Sequence, residues 1–199
     1  DDPYVITTYL RVNSRASFEK LVAGLNFVIQ RHDALRTAFF WNELDTPAQV
    51  VQRSASIPVQ WLQAVNGQDA LVVLKQNIIT SMDLAIAPLF HLAVVETAQA
   101  EHYVKLTWHH LVDDNTSLNI IVDELSAWFK GDTETLPSPI PYREAVGQIQ
   151  HHQKHTDATC FFEAMLSDVS EPTAPFDLLS VNQKVQATEL AAALSFDLS

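Results

Sequence analysis

The sequence predicts an α/β chain built on a mixed β-sheet with flanking helices. Apolar spacing switches repeatedly along the chain between the period of a strand and that of a helix. Two apolar runs, Leu89 to Thr97 and His102 to His109, follow one another across a short polar turn and read as paired central strands. The 199 residues, 47% apolar and 18% charged, are enough for one buried core. Strands alternating with helices favour α/β, and strands adjacent in hairpins make the sheet mixed rather than purely parallel.

Each element has its own signal. Tyr4 to Val12 is rich in β-branched and aromatic residues and lacks glycine, which favours a strand. Phe18, Leu21, Val22, Leu25, Val28 and Ile29 then recur at three- and four-residue steps, an apolar stripe on a helix that Ser17 caps. Gly24 inside that helix costs about 1 kcal/mol against alanine, so packing of the stripe must hold it. Thr37 to Glu43 and Ala48 to Gln52 form a hairpin around Leu44-Asp45-Thr46-Pro47, and a helix runs from Gln68 to about Ser81. After His110, Leu118, Ile121, Val122, Leu125, Trp128 and Phe129 share one helix face, with cap chemistry from Asp114 to Ser117 and a stop at Gly131. Pro137, Pro139 and Pro141 make an extended connection into a helix from Tyr142 to about Leu166. Beyond Ser170, Pro172 and Pro175 mark a linker or an incomplete element, so one domain over residues 1–170 is expected, followed by 171–199. The opening Asp1-Asp2-Pro3 runs straight into strand-like sequence and reads as a fragment or a trimmed start.

Composition removes several functions. Four scattered glycines leave no phosphate cradle of the dinucleotide or P-loop kind. With 12 basic against 24 acidic side chains, the net charge of -12 repels a phosphate backbone, so no nucleic-acid partner is expected. The run from Leu84 to Val95 is too short to span a bilayer, so no membrane partner is expected either. The single Cys160 forms no internal disulfide, fits a reducing cytoplasm and, beside Phe161 and Phe162, is expected to be buried as a small apolar residue rather than to act as a nucleophile. A serine-hydrolase reading fails for want of a nucleophile elbow.

The most informative segment is Trp108-His109-His110-Leu111-Val112-Asp113-Asp114-Asn115, with two histidines at a strand end and two carboxylates just before a helix. Histidine titrates nearest neutrality and suits base or proton-shuttle work. Spacing alone favours the plainer reading, with His110 a satisfied core residue and Asp114 a helix cap. No metal is expected. The spacing of His109, His110, Asp113 and Asp114 matches no metal signature, and His151 and His155, one helical turn apart, read as a solvated surface. A second segment, Arg31 to Phe39, brackets a helix end with Arg31 and Arg36. The bland reading is C-terminal capping, and the sharper one pairs an arginine with a motif carboxylate.

Together these segments resemble the condensation domains of nonribosomal peptide synthetases. Arg31-His32-Asp33-Ala34-Leu35-Arg36-Thr37-Ala38-Phe39 is similar to that family's RHExLRTxF motif, and His109 to Asn115 to its HHxxxDG motif. Met82-Asp83-Leu84 with Pro88-Leu89 resembles FDLxxxPL, and Pro141-Tyr142-Arg143-Glu144 the start of a YxDF-type motif. The resemblance implies a chloramphenicol acetyltransferase-like lobe, the first of a V-shaped pair, with residues 171–199 a linker or the start of the second. It implies His110 as the catalytic or substrate-positioning residue beside His109, Asp114 as structural, and Arg36 as the salt-bridge partner of Asp114. Asn115 stands where the family most often has glycine, a position where a side chain narrows the channel or alters a backbone amide contact.

The implied activity is amide formation between a donor acyl or peptidyl thioester and an acceptor aminoacyl thioester. No cofactor is bound directly, since both substrates ride on phosphopantetheine arms of carrier proteins, and adjacent adenylation and carrier domains are the implied partners. One lobe alone is expected to be folded but inactive, because the cleft lacks its other wall. A non-catalytic lobe that docks carrier proteins, and a stand-alone acyltransferase using coenzyme A, are the alternatives.

Overall fold

A computed structural model of the chain describes residues 2–64, 67–155 and 158–170. In order, these form β1 (Val5–Val12), α1 (Arg15–Arg31), a 3-10 turn (Asp33–Arg36), β2 (Thr37–Phe40), β3 (Ala48–Val51), β4 (Val59–Leu62), α2 (Ala70–Gln76), β5 (Phe90–Glu96), β6 (His102–His109), α3 (Asn115–Lys130), a 3-10 turn (Thr133–Thr135), α4 (Tyr142–His155) and α5 (Ala158–Met165). Asp2–Glu144 make one compact unit, and the chain from Ala145 onward belongs to a second. The expectation for 171–199 lies outside the described residues.

The main sheet has the order β1-β6-β5-β4, antiparallel except for the parallel β4–β5 pair, so it is mixed as expected. The two apolar runs are its interior strands. Their faces are covered, so β5 is mostly apolar, while β6 buries His102, Lys105 and Thr107 among its apolar residues. Phe90, Leu92, Val94, Val104 and Trp108 share one core with Phe18, Leu25, Val28 and Ile29 of α1 and Ile121 of α3. Ala93 and Val95 pack with Ala70 and Leu74 of α2. The hairpin of β2 and β3 forms a separate two-stranded sheet.

Three expectations need correction here. The cap of α1 is Ser14, whose Oγ accepts the Ser17 backbone N–H at 3.1 Å, so the helix starts before its first buried residue. The helix expected to reach about Ser81 is only α2. Its buried residues are Ala70 and Leu74, and the next apolar side chain, Ile78, is 73% exposed at the start of a β-branched stretch that favours leaving the helix. The helix expected from Tyr142 to about Leu166 is present as α4 and α5 on either side of residues 156–157, which lie outside the described residues, and α5 buries none of its residues. Cys160 on α5 is therefore exposed rather than buried, because its helix offers no core to receive it.

Gly24 is where α1 and α3 approach most tightly. A Cβ there would stand 2.8 Å from Trp128 Cδ1 and 3.1 Å from Leu125 Cδ2. The indole cannot easily retreat, since its Nε1 donates to Lys20 O at 3.2 Å and its ring packs on Phe27. Gly24→Ala gains about 1 kcal/mol of helix propensity but overpacks the interface at a cost of about 1 to 3 kcal/mol. A net loss of stability is expected by chemical denaturation, and a variant as stable as the parent would contradict this packing.

Candidate active site

The end of β6 separates the two histidines. Successive strand residues face opposite ways, and His109, 4% exposed, is absorbed by the structure. Its Nδ1 accepts the Leu111 backbone N–H at 3.0 Å, and its Nε2 stands 3.1 Å from Asp2 Oδ2. Asp2 is held below the usual carboxylate range, chiefly by the Tyr4 backbone N–H and further by His109. His110 begins the turn toward α3, anchored by its own N–H to Tyr4 O at 2.8 Å. Its side chain is 45% exposed, and Nδ1 lies 3.2 Å from Oδ1 of Asp113, a carboxylate only 3% exposed.

Asp114 is the N-cap of α3. Its Oδ1 accepts the Ser117 backbone N–H at 2.7 Å and the Ser117 hydroxyl at 2.8 Å. Those bonds, the backbone one first, hold its carboxyl below the usual range. Asn115 is the first residue of α3 and is exposed, with no positive φ, so the backbone at this position does not require the glycine common in the family motif.

The expected Arg36–Asp114 ion pair does not form. Arg36 Nη2 bonds Asp33 Oδ1 at 2.7 Å, and Nη1 donates to the Gln52 carbonyl. Asp33 lies one turn away on the same 3-10 turn, so this pairing orders less chain, while Asp114 is taken by the orphan N–H groups at the start of α3. Arg31 does find a carboxylate, Glu124 on α3, which is outside every motif. Its Nε and Nη2 reach Oε2 at 3.0 Å and Oε1 at 3.1 Å, and Nη2 also donates to Pro137 O at 2.7 Å. His32 Nε2 is 2.9 Å from Glu124 Oε2 without hydrogen-bond alignment, so it acts there as a charge contact when protonated. Sequence reasoning missed Glu124. The signal was a glutamate inside the apolar stripe, between Ile121 and Leu125.

Three of the motif segments line one cleft at the start of α3, and the fourth is tied to the arginine segment. Asp33 Oδ2 accepts the Tyr142 N–H at 3.2 Å, tying the arginine segment to the start of α4. The Phe39 N–H donates to Leu84 O at 2.8 Å, tying it to the Met82-Asp83-Leu84 stretch. A cleft of about 250 Å³ is lined by Thr37, Phe39, Val112, Asp113, Asp114 and Tyr142, among others. His110 is not part of that lining. Asp113 therefore touches both the cleft and the imidazole.

The family model described as the condensation domain matches residues 2–196. Malpibaldin synthetase of Mortierella alpina is 34% identical over 185 residues, covering 91% of the chain and 3% of that protein. Malpinin synthetase of the same organism is 31% identical, covering 91% of the chain and 2% of its own length. The chain thus spans a few hundredths of these relatives. In fold, the epimerization domain from the third module of tyrocidine synthetase B superposes with a TM-score of 0.68 at 17% identity, over 86% of this chain and 41% of that one.

Proposed function

The chain belongs to the condensation-domain family, and from that membership and the surroundings of His110 we propose that it serves amide-bond formation between two thioester-bound substrates. The acceptor amine attacks the donor carbonyl carbon, the C–N bond forms, and the C–S bond breaks to release the donor thiol. The amine must shed its proton, and on this reading His110 takes it or offsets charge in the tetrahedral intermediate. The observation that carries this reading is the half-exposed imidazole anchored on the buried carboxylate of Asp113, where the motif segments converge.

On the same reading both substrates arrive on phosphopantetheine arms of carrier proteins, with adenylation and carrier domains in the longer protein. The reaction belongs to that longer protein, since the chain covers 41% of the superposed epimerization domain and small parts of the synthetases. Among the described residues no helix is long and apolar enough to cross a membrane, and the single thiol fits a reducing cytoplasm.

The test is an assay of the intact protein with donor and acceptor carriers loaded separately. The expected product is an amide on the acceptor carrier that requires both loaded carriers. Equal product from a coenzyme A thioester and a soluble amine, with no carriers present, would overturn the proposal in favour of a stand-alone acyltransferase.

A further inference from the structure

We propose that Asp113, the residue before the motif aspartate, is the positioning residue of His110: its carboxylate holds Nδ1 and leaves Nε2 as the nitrogen that meets substrate. The orientation stands on geometry alone, and only its consequence for rate rests on the proposed amide-forming role.

The family motif singles out the aspartate at 114 and leaves 113 unspecified, and the two adjacent carboxylates are chemically identical in the sequence. The structure divides their work. Asp114 is exposed and its Oδ1 takes both Ser117 donors. Asp113 is 3% exposed, and its Oδ1 stands 3.2 Å from His110 Nδ1. A buried carboxylate is costly without a donor, and here the imidazole supplies it.

The proton's position follows from the donor inventory. An ionised carboxylate has no hydrogen to give, so its contact with a neutral imidazole is a hydrogen bond only if Nδ1 carries the proton. Nε2 then keeps its lone pair. A neutral imidazole in water favours the opposite form, with the proton on Nε2, so Asp113 selects the tautomer that can act as a base through Nε2. The exposures fit this division: the carboxylate is enclosed, while the ring is 45% exposed and can receive a substrate proton at its far side. Asp113 also lines the cleft beside the imidazole, so whatever fills that cleft lies against the residue that orients the ring.

The test reads the tautomer directly. Histidine-selective 15N labelling of the chain, with His110 assigned through His110→Ala, reports which ring nitrogen is protonated in the neutral form. The expected result is Nδ1–H in the wild type, a shift to Nε2–H in Asp113→Ala, and retention of Nδ1–H in Asp113→Asn, whose Oδ1 still accepts. In the intact synthetase, Asp113→Ala is expected to lower the condensation rate at least about tenfold while the KM for the loaded acceptor carrier stays within about twofold. Wild-type His110 in the Nε2–H form would overturn the proposal, as would a tautomer unmoved by Asp113→Ala but altered by Asp114→Ala. If Asp113→Ala does not fold, the wild-type and Asp113→Asn spectra decide. A tautomer that depends on Asp113 with an unchanged condensation rate would support the orientation and instead remove His110 from the chemistry.

Discussion

His110→Ala in the intact protein, with both carriers loaded, is expected to lower single-turnover amide formation by roughly a hundredfold or more, the usual contribution of a general base. The fold should be little affected, because the side chain is 45% exposed and its direct polar contact among the described residues is Asp113. Asp113 is left buried without its donor, so a modest loss of stability accompanies the variant and is checked by denaturation. His109→Ala is expected to behave in the opposite way. His109 is buried, and its removal takes from the Leu111 N–H its acceptor and from Asp2 Oδ2 its imidazole contact, at about 1 kcal/mol for each hydrogen bond lost. Quantifying dipeptidyl product on the acceptor carrier separates the two. Unchanged turnover in a folded His110→Ala protein would sink the catalytic reading and leave a carrier-docking lobe as the better account.

Arg31→Ala is expected to destabilise the chain by about 3 kcal/mol, the scale for stranding a buried charge by removing its partner. Glu124 is 7% exposed and would lose both guanidinium bonds, and the Pro137 carbonyl would lose its donor as well. The pH dependence identifies the cause. Burial by itself pushes the Glu124 carboxyl up, but Arg31 and His32 together outweigh it and hold the group below the usual range. A depressed folded value means that this stabilisation is present above the unfolded glutamate value and is lost as pH falls through the folded one. Without Arg31 the strongest opposition to burial is gone, so even with His32 in place the folded value rises relative to the wild type, and the penalty is small when the carboxyl is protonated and grows as pH rises. The deficit of Arg31→Ala against the wild type should therefore widen from about pH 4 to neutrality. Adding Glu124→Gln to Arg31→Ala should recover part of the loss at neutral pH. A deficit that does not change with pH, or no recovery, would mean that Arg31 acts by packing alone.

Local chemistry was legible where the deciding contacts are close in sequence. The stripe from Phe18 to Ile29 and the Gly131 stop, which adopts φ 82°, lie within single helices and follow from spacing and sterics. The hairpin of β2 and β3 was legible for the same reason. β4 was not: Val59–Leu62 is a strand only because β5 offers it a parallel edge, 33 residues away in register pairs such as Val59 with Leu92 and Leu62 with Val95. The length of α2 was also overread, since apolar residues at Ile78 and Ile79 continue the composition but not the buried face.

For the site, the sequence by itself determined which residue types stand together at the end of β6, that the family is that of condensation domains, and that Asp114 has cap chemistry. These depend on order and spacing along the chain. Which carboxylate each basic side chain takes was decided only in three dimensions. Asp113 rather than Asp114 holds His110, Asp33 rather than Asp114 holds Arg36, and Glu124 holds Arg31. The physical reason is that a charge pair is selected by distance, burial and the competing donors around each oxygen. Adjacent aspartates share every sequence property, and only the folding of α3 makes one a cap and the other a buried acceptor.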